Sequence, residues 1–198
     1  MIKNLRIFAF VFLLFTFSFS SAGEKAIVIV IDVSHGGKDD GFAIDGFKEK
    51  DLAFEIALKV VALNKADDVK IILTREGDYF VSLNDRVEYI NSLNPDYVIS
   101  LHMNASDDIE INGFDFFVSS ENSLSEKSNV LAHALENSIA TEFSTNGIKN
   151  ANFNILKNVE SPIIVIEMGY LSNANDRSIL ISDDGQQKIA QAIYNTIK

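Results

Sequence analysis

A chain of 198 residues with 47% hydrophobic side chains carries enough apolar material for one compact domain with a full core. Its 28 acidic residues outnumber 17 basic ones, a formal charge of −11 at pH 7, which argues against binding to a phosphate backbone, so no nucleic-acid partner is expected. The absence of cysteine excludes a disulfide framework, a thiolate metal site and a thioether-linked lipid, so any metal must be held by nitrogen and oxygen.

At the amino terminus Lys3 and Arg6 precede the run IFAFVFLLFTFSFSS, and Ser20-Ser21-Ala22 places small residues at the −3 and −1 positions of a cleavage site. The run is interrupted by Thr16, Ser18, Ser20 and Ser21 and falls short of the roughly 20 apolar residues that a membrane span needs. Residues 1–22 are therefore read as a secretory signal peptide and 23–198 as the mature domain. The expected product is exported and has no transmembrane span after cleavage.

KAIVIVIDV, Lys25 to Val33, is a nearly continuous β-branched run, the pattern of a strand covered on both faces. Leu52, Ile56, Val60 and Leu63 then recur at helical spacing, and VKIILT follows from Val69, which makes a βαβ unit with parallel pairing. Ser82 and Asp85 form a capping box ahead of a helix carrying Val87 and Ile90, and the strand DYVISLH, Asp96 to His102, enters after Pro95. Further on, GFDFFVS, Gly113 to Ser119, reads as a strand nearer an edge, and Val130 to Ile139 as a long helix. FNIL, Phe153 to Leu156, reads as a short strand, PIIVIEMG, Pro162 to Gly169, as the last buried strand, and Ile189 to Ile197 as a closing helix. The expected fold is a single-domain α/β architecture, a mostly parallel six-stranded sheet covered by helices on both faces.

Three residues able to bind a metal or a proton stand at or just past strand ends: His35, His102 and Glu167. In open parallel sheets ligands collect outside the carboxyl ends of the strands, where side chains distant in sequence converge. Glu49, in GFKEKDLAF, lies where the loop after His35 enters a helix and can fold back over the same edge. Histidine, glutamate and histidine form a set that zinc accepts, with a further position left for water. The same residues also fit hydrogen-bonded structural roles, since a glutamate at a helix start favours the dipole there. Glu167, flanked by apolar residues, would be buried at a cost unless something nearby requires it. His133 lies mid-helix, far from any strand end, and no site role is expected of it. SHGGKDDG has neither GxGxxG nor the ending of a P-loop.

Taken in order, VIDVSHGGKDDG, GFKEKDLAF, IILTREGD, LNDRVEYIN, YVISLHMNAS, NGFDFFVS, FNILKN, SPIIVIEMGYLSN and QQKIAQAIYNTI resemble the zinc-dependent N-acetylmuramoyl-L-alanine amidases, the family of bacterial cell-division and sporulation autolysins. The resemblance runs from about residue 26 to 197. It implies that His35, Glu49 and His102 are zinc ligands and that Glu167 is the catalytic glutamate. It implies hydrolysis of the amide between N-acetylmuramic acid and the L-alanine that begins the peptidoglycan stem peptide. Asn104, in HMNA, falls on a family position close to the metal, which implies support of the site or a hydrogen bond to substrate.

Two departures stand out. The family commonly has Asp-Pro-Gly-His where this chain has Asp32-Val33-Ser34-His35, and STNGIKNANFNILKN lacks the arginines common there, with Lys157 in one of their places. Residues 106–129 are too few to hold the plugging helix of some cell-division members, so an open site is expected. Peptidoglycan is the expected partner and a monomer the expected state, with any activator unknown. The strongly acidic chain leans the location toward a periplasm over an extracellular wall. The alternatives are a catalytically silent relative that binds peptidoglycan or regulates another hydrolase, and a zinc peptidase on the same sheet.

Overall fold

The computed structural model describes residues 26–197; the expected signal peptide lies outside the described residues. Six strands form the main sheet in the order β4 (Val69–Leu73), β1 (Ile27–Val33), β5 (Tyr97–Asn104), β8 (Ile163–Tyr170), β6 (Phe114–Val118) and β7 (Thr145–Asn150). The first four are mutually parallel, β6 runs antiparallel to β8, and β7 is parallel to β6. The expected mostly parallel six-stranded sheet is what the chain builds.

Period-two alternation divides each central strand between two layers. Ile29, Ile31 and Val33, with Ile99, Leu101 and Met103 and with Ile164, Ile166 and Met168, face the larger core. Helices α1 (Glu49–Leu63), α3 (Ser125–Ile139) and α6 (Asp183–Ile197) pack there through Leu52, Ile56, Leu135, Ile189 and Ile193. The other face carries Val30, Val98, Ile163 and Val165 against α2 (Leu83–Leu93) and α4 (Asn154–Asn158). On this second face the apolar residues give way to polar ones toward the carboxyl ends: Asp32, Ser100, His102 and Glu167 continue the rows begun by Val30, Val98 and Val165. That switch positions the site.

The boundaries follow local chemistry. Ser82 caps α2, its hydroxyl accepting from the Asp85 amide at 3.2 Å, and Asn94 ends the helix in the left-handed region, φ 44°, just before Pro95. A hairpin, β2 (Ala43–Ile44) with β3 (Phe47–Lys48), turns on Asp45-Gly46, both at positive φ, the pair that a two-residue hairpin turn demands. It delivers the chain into α1 at Glu49. A further short helix, α5 (Ala174–Leu180), starts at Asn173, whose side-chain oxygen accepts from the Asn175 and Asp176 amides.

One expected strand is a helix. Phe153 to Leu156 belongs to the approach and first turns of α4, and the sixth strand is β7, at 145–150. Ile155 and Leu156 are consecutive and enter the same core cluster, which neighbours on one side of a helix can do and neighbours on opposite faces of a strand cannot. β7 carries only Ile148 as an apolar anchor and is held by its ladder to β6 at the sheet edge, so it has no hydrophobic pattern to read.

Candidate metal centre and active site

β1 ends at Val33, and the chain turns sharply: His35 has φ 55°, Gly36 125° and Gly37 58°. The glycines let the Tyr79-Phe80 backbone close over this turn. A Cβ at Gly36 would stand 2.3 Å from the Tyr79 carbonyl oxygen, and one at Gly37 2.6 Å from the Phe80 nitrogen. Gly36→Ala is expected to cost about 2–4 kcal/mol of stability through this clash and the unfavourable φ, measurable as a lowered urea midpoint. The Arg86 guanidinium, buried beneath the turn, donates to the His35 carbonyl at 3.0 Å and pairs with Asp32 at 2.7 Å.

Three side chains meet at this edge. Glu49 Oε1 lies 3.0 Å from His35 Nε2 and 3.0 Å from His102 Nδ1, and one ligand atom from each of the three residues falls within 4.8 Å of the others. The imidazoles stand edge to face, 5.3 Å between centroids. Glu49 is buried and anchored by the amides of Phe42 to Oε2 at 3.0 Å and of Met103 to Oε1 at 3.2 Å. His35 Nδ1 faces Asp39 Oδ2 at 2.9 Å; with Asp39 accepting the Nδ1 proton, Nε2 keeps its lone pair for the centre. Sequence reading did not single out Asp39, although its spacing of four from His35 was a usable signal.

Electrostatics reinforce the geometry. Burial opposes charge on His35, but the Glu49 hydrogen bond and charge, aided by Asp39, push it up to about 9. For His102 burial again opposes charge, and Glu49 and Glu167 raise it. Burial would raise Glu49, but the two imidazoles outweigh it and hold the carboxyl well below the ordinary range. A buried carboxylate that gathers positive charge from two imidazoles, all of them nitrogen and oxygen donors, fits a borderline cation such as zinc; uptake would release the shared protons.

Glu167 lies beside this cluster. It is in register with His102 on β5 and with Asp115 on β6. Its Oε2 is buried without a hydrogen-bond partner. Burial pushes its carboxyl up to about 7, with His102 opposing the rise and Glu49 and Asp115 adding to it. Such a carboxyl is poised to exchange a proton near neutral pH.

Asn104 is engaged within the protein: its Nδ2 donates to Asp115 Oδ2 at 3.3 Å and its Oδ1 accepts from the Ala105 amide at 2.8 Å. Asp115, fully buried, also accepts from Tyr170 Oη at 2.8 Å and pairs with Lys149. No local pattern announces this cluster, because its members come from four strands. His133 is exposed on α3, with Glu136 3.8 Å away, and takes no part.

Fold and cluster together define a class: an α/β domain with a candidate hydrolytic metal centre at the carboxyl ends of its parallel strands. The chain belongs to the N-acetylmuramoyl-L-alanine amidase family, whose model matches residues 29–198. It is 32% identical over 173 residues to the N-acetylmuramoyl-L-alanine amidase CwlM of Bacillus licheniformis, covering 85% of this chain and 66% of the relative. Among solved structures, the catalytic domain of the amidase CwlV from Bacillus (Paenibacillus) polymyxa var. colistinus matches at TM-score 0.80 and 31% identity, covering 86% of this chain and 96% of that one. The amidase AmiC2 of Nostoc punctiforme matches at 0.79 and 31%, covering 86% and 94%.

Proposed function

We propose that this protein hydrolyses the amide between N-acetylmuramic acid and the L-alanine of peptidoglycan stem peptides, as a zinc-dependent enzyme with His35, Glu49 and His102 as ligands and Glu167 as catalytic base. The observation that carries this reading is the placement of Glu49 Oε1 within 3.0 Å of both imidazoles, with the unpartnered carboxylate of Glu167 on the adjoining strand. Family membership supports the scissile bond.

Zinc, when bound, supplies a Lewis acid for the scissile carbonyl and lowers the pKa of a water to about 7. The chain does the rest. Asp39 and the Phe42 and Met103 amides orient the ligand side chains, so little rearrangement accompanies reaction. Glu167 takes the proton of the attacking water and returns it to the departing alanine amine. The engagement of both polar arms of Asn104 supports a positioning role for it over a bond to substrate. All four central residues come from one chain, which suits a monomer.

The histidine side chains remain 22% and 28% exposed, and no helix among the described residues lies between β5 and β6, which supports an open site that needs no activator. Export directed by residues 1–22, with 23–198 as the catalytic domain and the periplasm as destination, belongs to the same proposal. Sequencing the amino terminus of secreted protein tests it, with residue 23 expected first.

Purified peptidoglycan incubated with the zinc-loaded protein, without activator, is expected to release peptides bearing free N-terminal L-alanine. Cleavage elsewhere in the peptide would transfer the reading to a peptidase, and zinc binding without release would transfer it to a silent binder. Chelation is expected to stop release and lower the melting temperature, since zinc at 100 times its Kd adds about 2.7 kcal/mol to the folded state. An unchanged melting temperature with full activity would remove the metal from the proposal.

A further inference from the structure

Beside His35 and His102 opens a cleft of about 360 Å³ that the chemistry above leaves unused. Its wall is apolar: Phe80, Val81, Leu83 and Ile155 line it, and Phe80 and Leu83 remain 45% and 61% exposed. Large apolar side chains left open at the mouth of a catalytic cluster call for a ligand surface to cover them.

The wall is rigidly placed. Gly36 and Gly37 admit the Tyr79-Phe80 backbone, Asp78 accepts from the Gly37 amide at 2.7 Å and from Lys50 Nζ at 3.0 Å, and the Lys38 ammonium lies 4.5 Å from the Phe80 ring centroid. The floor offers no free charge. Arg86 lines the cleft, but its guanidinium is spent on Asp32, Thr74 and the carbonyls of Val33 and His35. The lining carboxylates are already engaged, Asp32 by Arg86 and Asp39 by His35 Nδ1, and both disfavour a second negative group; the Lys38 ammonium lies over Phe80 and is not among the lining residues.

One polar group is uncommitted. Ser34 lines the same cleft, is 1% exposed, and its Oγ has no hydrogen-bond partner. A buried hydroxyl without a partner is costly, and a ligand acceptor removes that cost.

We infer that this cleft receives the sugar end of the substrate, with Phe80 as a specificity-determining residue against the muramoyl ring and lactyl methyl, and Ser34 Oγ as donor to the acetamido carbonyl. The inference rests on the amidase reading for the identity of the substrate. A neutral pyranose with an apolar face, a methyl and one amide acceptor matches the inventory of the cleft. A stem peptide bearing carboxylates matches it less well, because Arg86 is spent, two carboxylates already line the cleft, and the one cation nearby, Lys38, stands over Phe80 outside the lining.

The test is titration of the zinc-loaded Glu167→Gln protein, which binds without turnover, with N-acetylmuramoyl-L-alanyl-D-isoglutamine and with D-lactoyl-L-alanyl-D-isoglutamine, which lacks the sugar. The sugar-bearing ligand is expected to bind about tenfold more tightly. Adding Phe80→Ala brings that ratio near one, and Phe80→Leu, a milder change at a half-exposed site, falls between. Ser34→Gly removes about a threefold to tenfold preference for the acetamido ligand over its 2-deoxy counterpart and leaves the lactoyl ligand unaffected. Equal affinity for the two ligands in the parent, or a Phe80→Ala change that weakens both alike, overturns the inference. Hydrolysis of peptidoglycan by the unsubstituted protein judges the amidase reading separately. Sugar preference without hydrolysis keeps the cleft and discards the activity, and hydrolysis without sugar preference does the reverse.

Discussion

Glu167→Gln is expected to lower kcat on peptidoglycan by about 10³–10⁴ while zinc stoichiometry and KM stay near their original values. Gln matches Glu in size and keeps an acceptor oxygen, so the row of His102, Glu167 and Asp115 across the sheet is undisturbed. What disappears is a group that can accept the water proton and deliver it to the amine. The folded state is expected to gain slightly, because the neutral amide removes the cost of a buried carboxylate whose Oε2 has no partner. A kcat within tenfold of the original would remove Glu167 from the base role and turn attention to another proton acceptor at the edge.

The second large effect concerns stability. Asp32 is fully buried, accepts from Thr74 Oγ1 at 2.9 Å and Arg86 at 2.7 Å on one oxygen, and from Ser100 Oγ at 2.6 Å on the other. Asp32→Ala strands the buried Arg86 guanidinium without its counter-charge, which is expected to cost about 3–5 kcal/mol. For a domain of this size that corresponds to roughly 10–15 °C in melting temperature. Because Arg86 also holds the His35 carbonyl, zinc affinity is expected to fall with it. A loss below about 1 kcal/mol would show that Arg86 finds other partners.

The pH dependence carries a sign. Burial works to raise the Asp32 carboxyl, but the Arg86 charge and the Ser100 and Arg86 hydrogen bonds outweigh it, so its native pKa lies below the ordinary 3.8. The unfolded chain therefore binds this proton more readily, and the contribution is complete above about pH 4 and is lost as pH falls through the native value. Urea midpoints measured from pH 6 down to pH 2 are expected to fall, and the slope below pH 4 is expected to shrink in Asp32→Asn, which has no such proton to gain.

The legible parts of the fold were those governed by local pattern. β1, β5 and β8 are long β-branched runs buried on both faces, and such runs announce themselves whatever surrounds them. Once the strands were read as parallel, His35, His102 and Glu167 had to share one edge, because they stand at the carboxyl ends of the same three strands. β7 was not legible, since an edge strand with one apolar side chain is stabilised by its ladder to β6, and FNIL misled because a buried pair of neighbours suits either element. Glu49 was placed at the edge by its position after the loop, but the Asp45-Gly46 hairpin that brings it there went unread.

By itself the sequence determined the α/β class, the strand ends that carry the two histidines and the glutamate, the ordered motifs of the family, and the exclusion of thiolate chemistry. Only the tertiary structure decided which charges are buried and with whom: Asp32 with Arg86, Glu49 with His35 and His102, and Asp115 with Lys149, Tyr170 and Asn104. It also decided that Phe80 and Ser34 share a cleft with the histidines. The reason is physical. Apolar burial repeats with the period of the backbone and is written locally, whereas a buried charge is tolerated only when a partner from a distant segment meets it, and that meeting exists only in the folded chain.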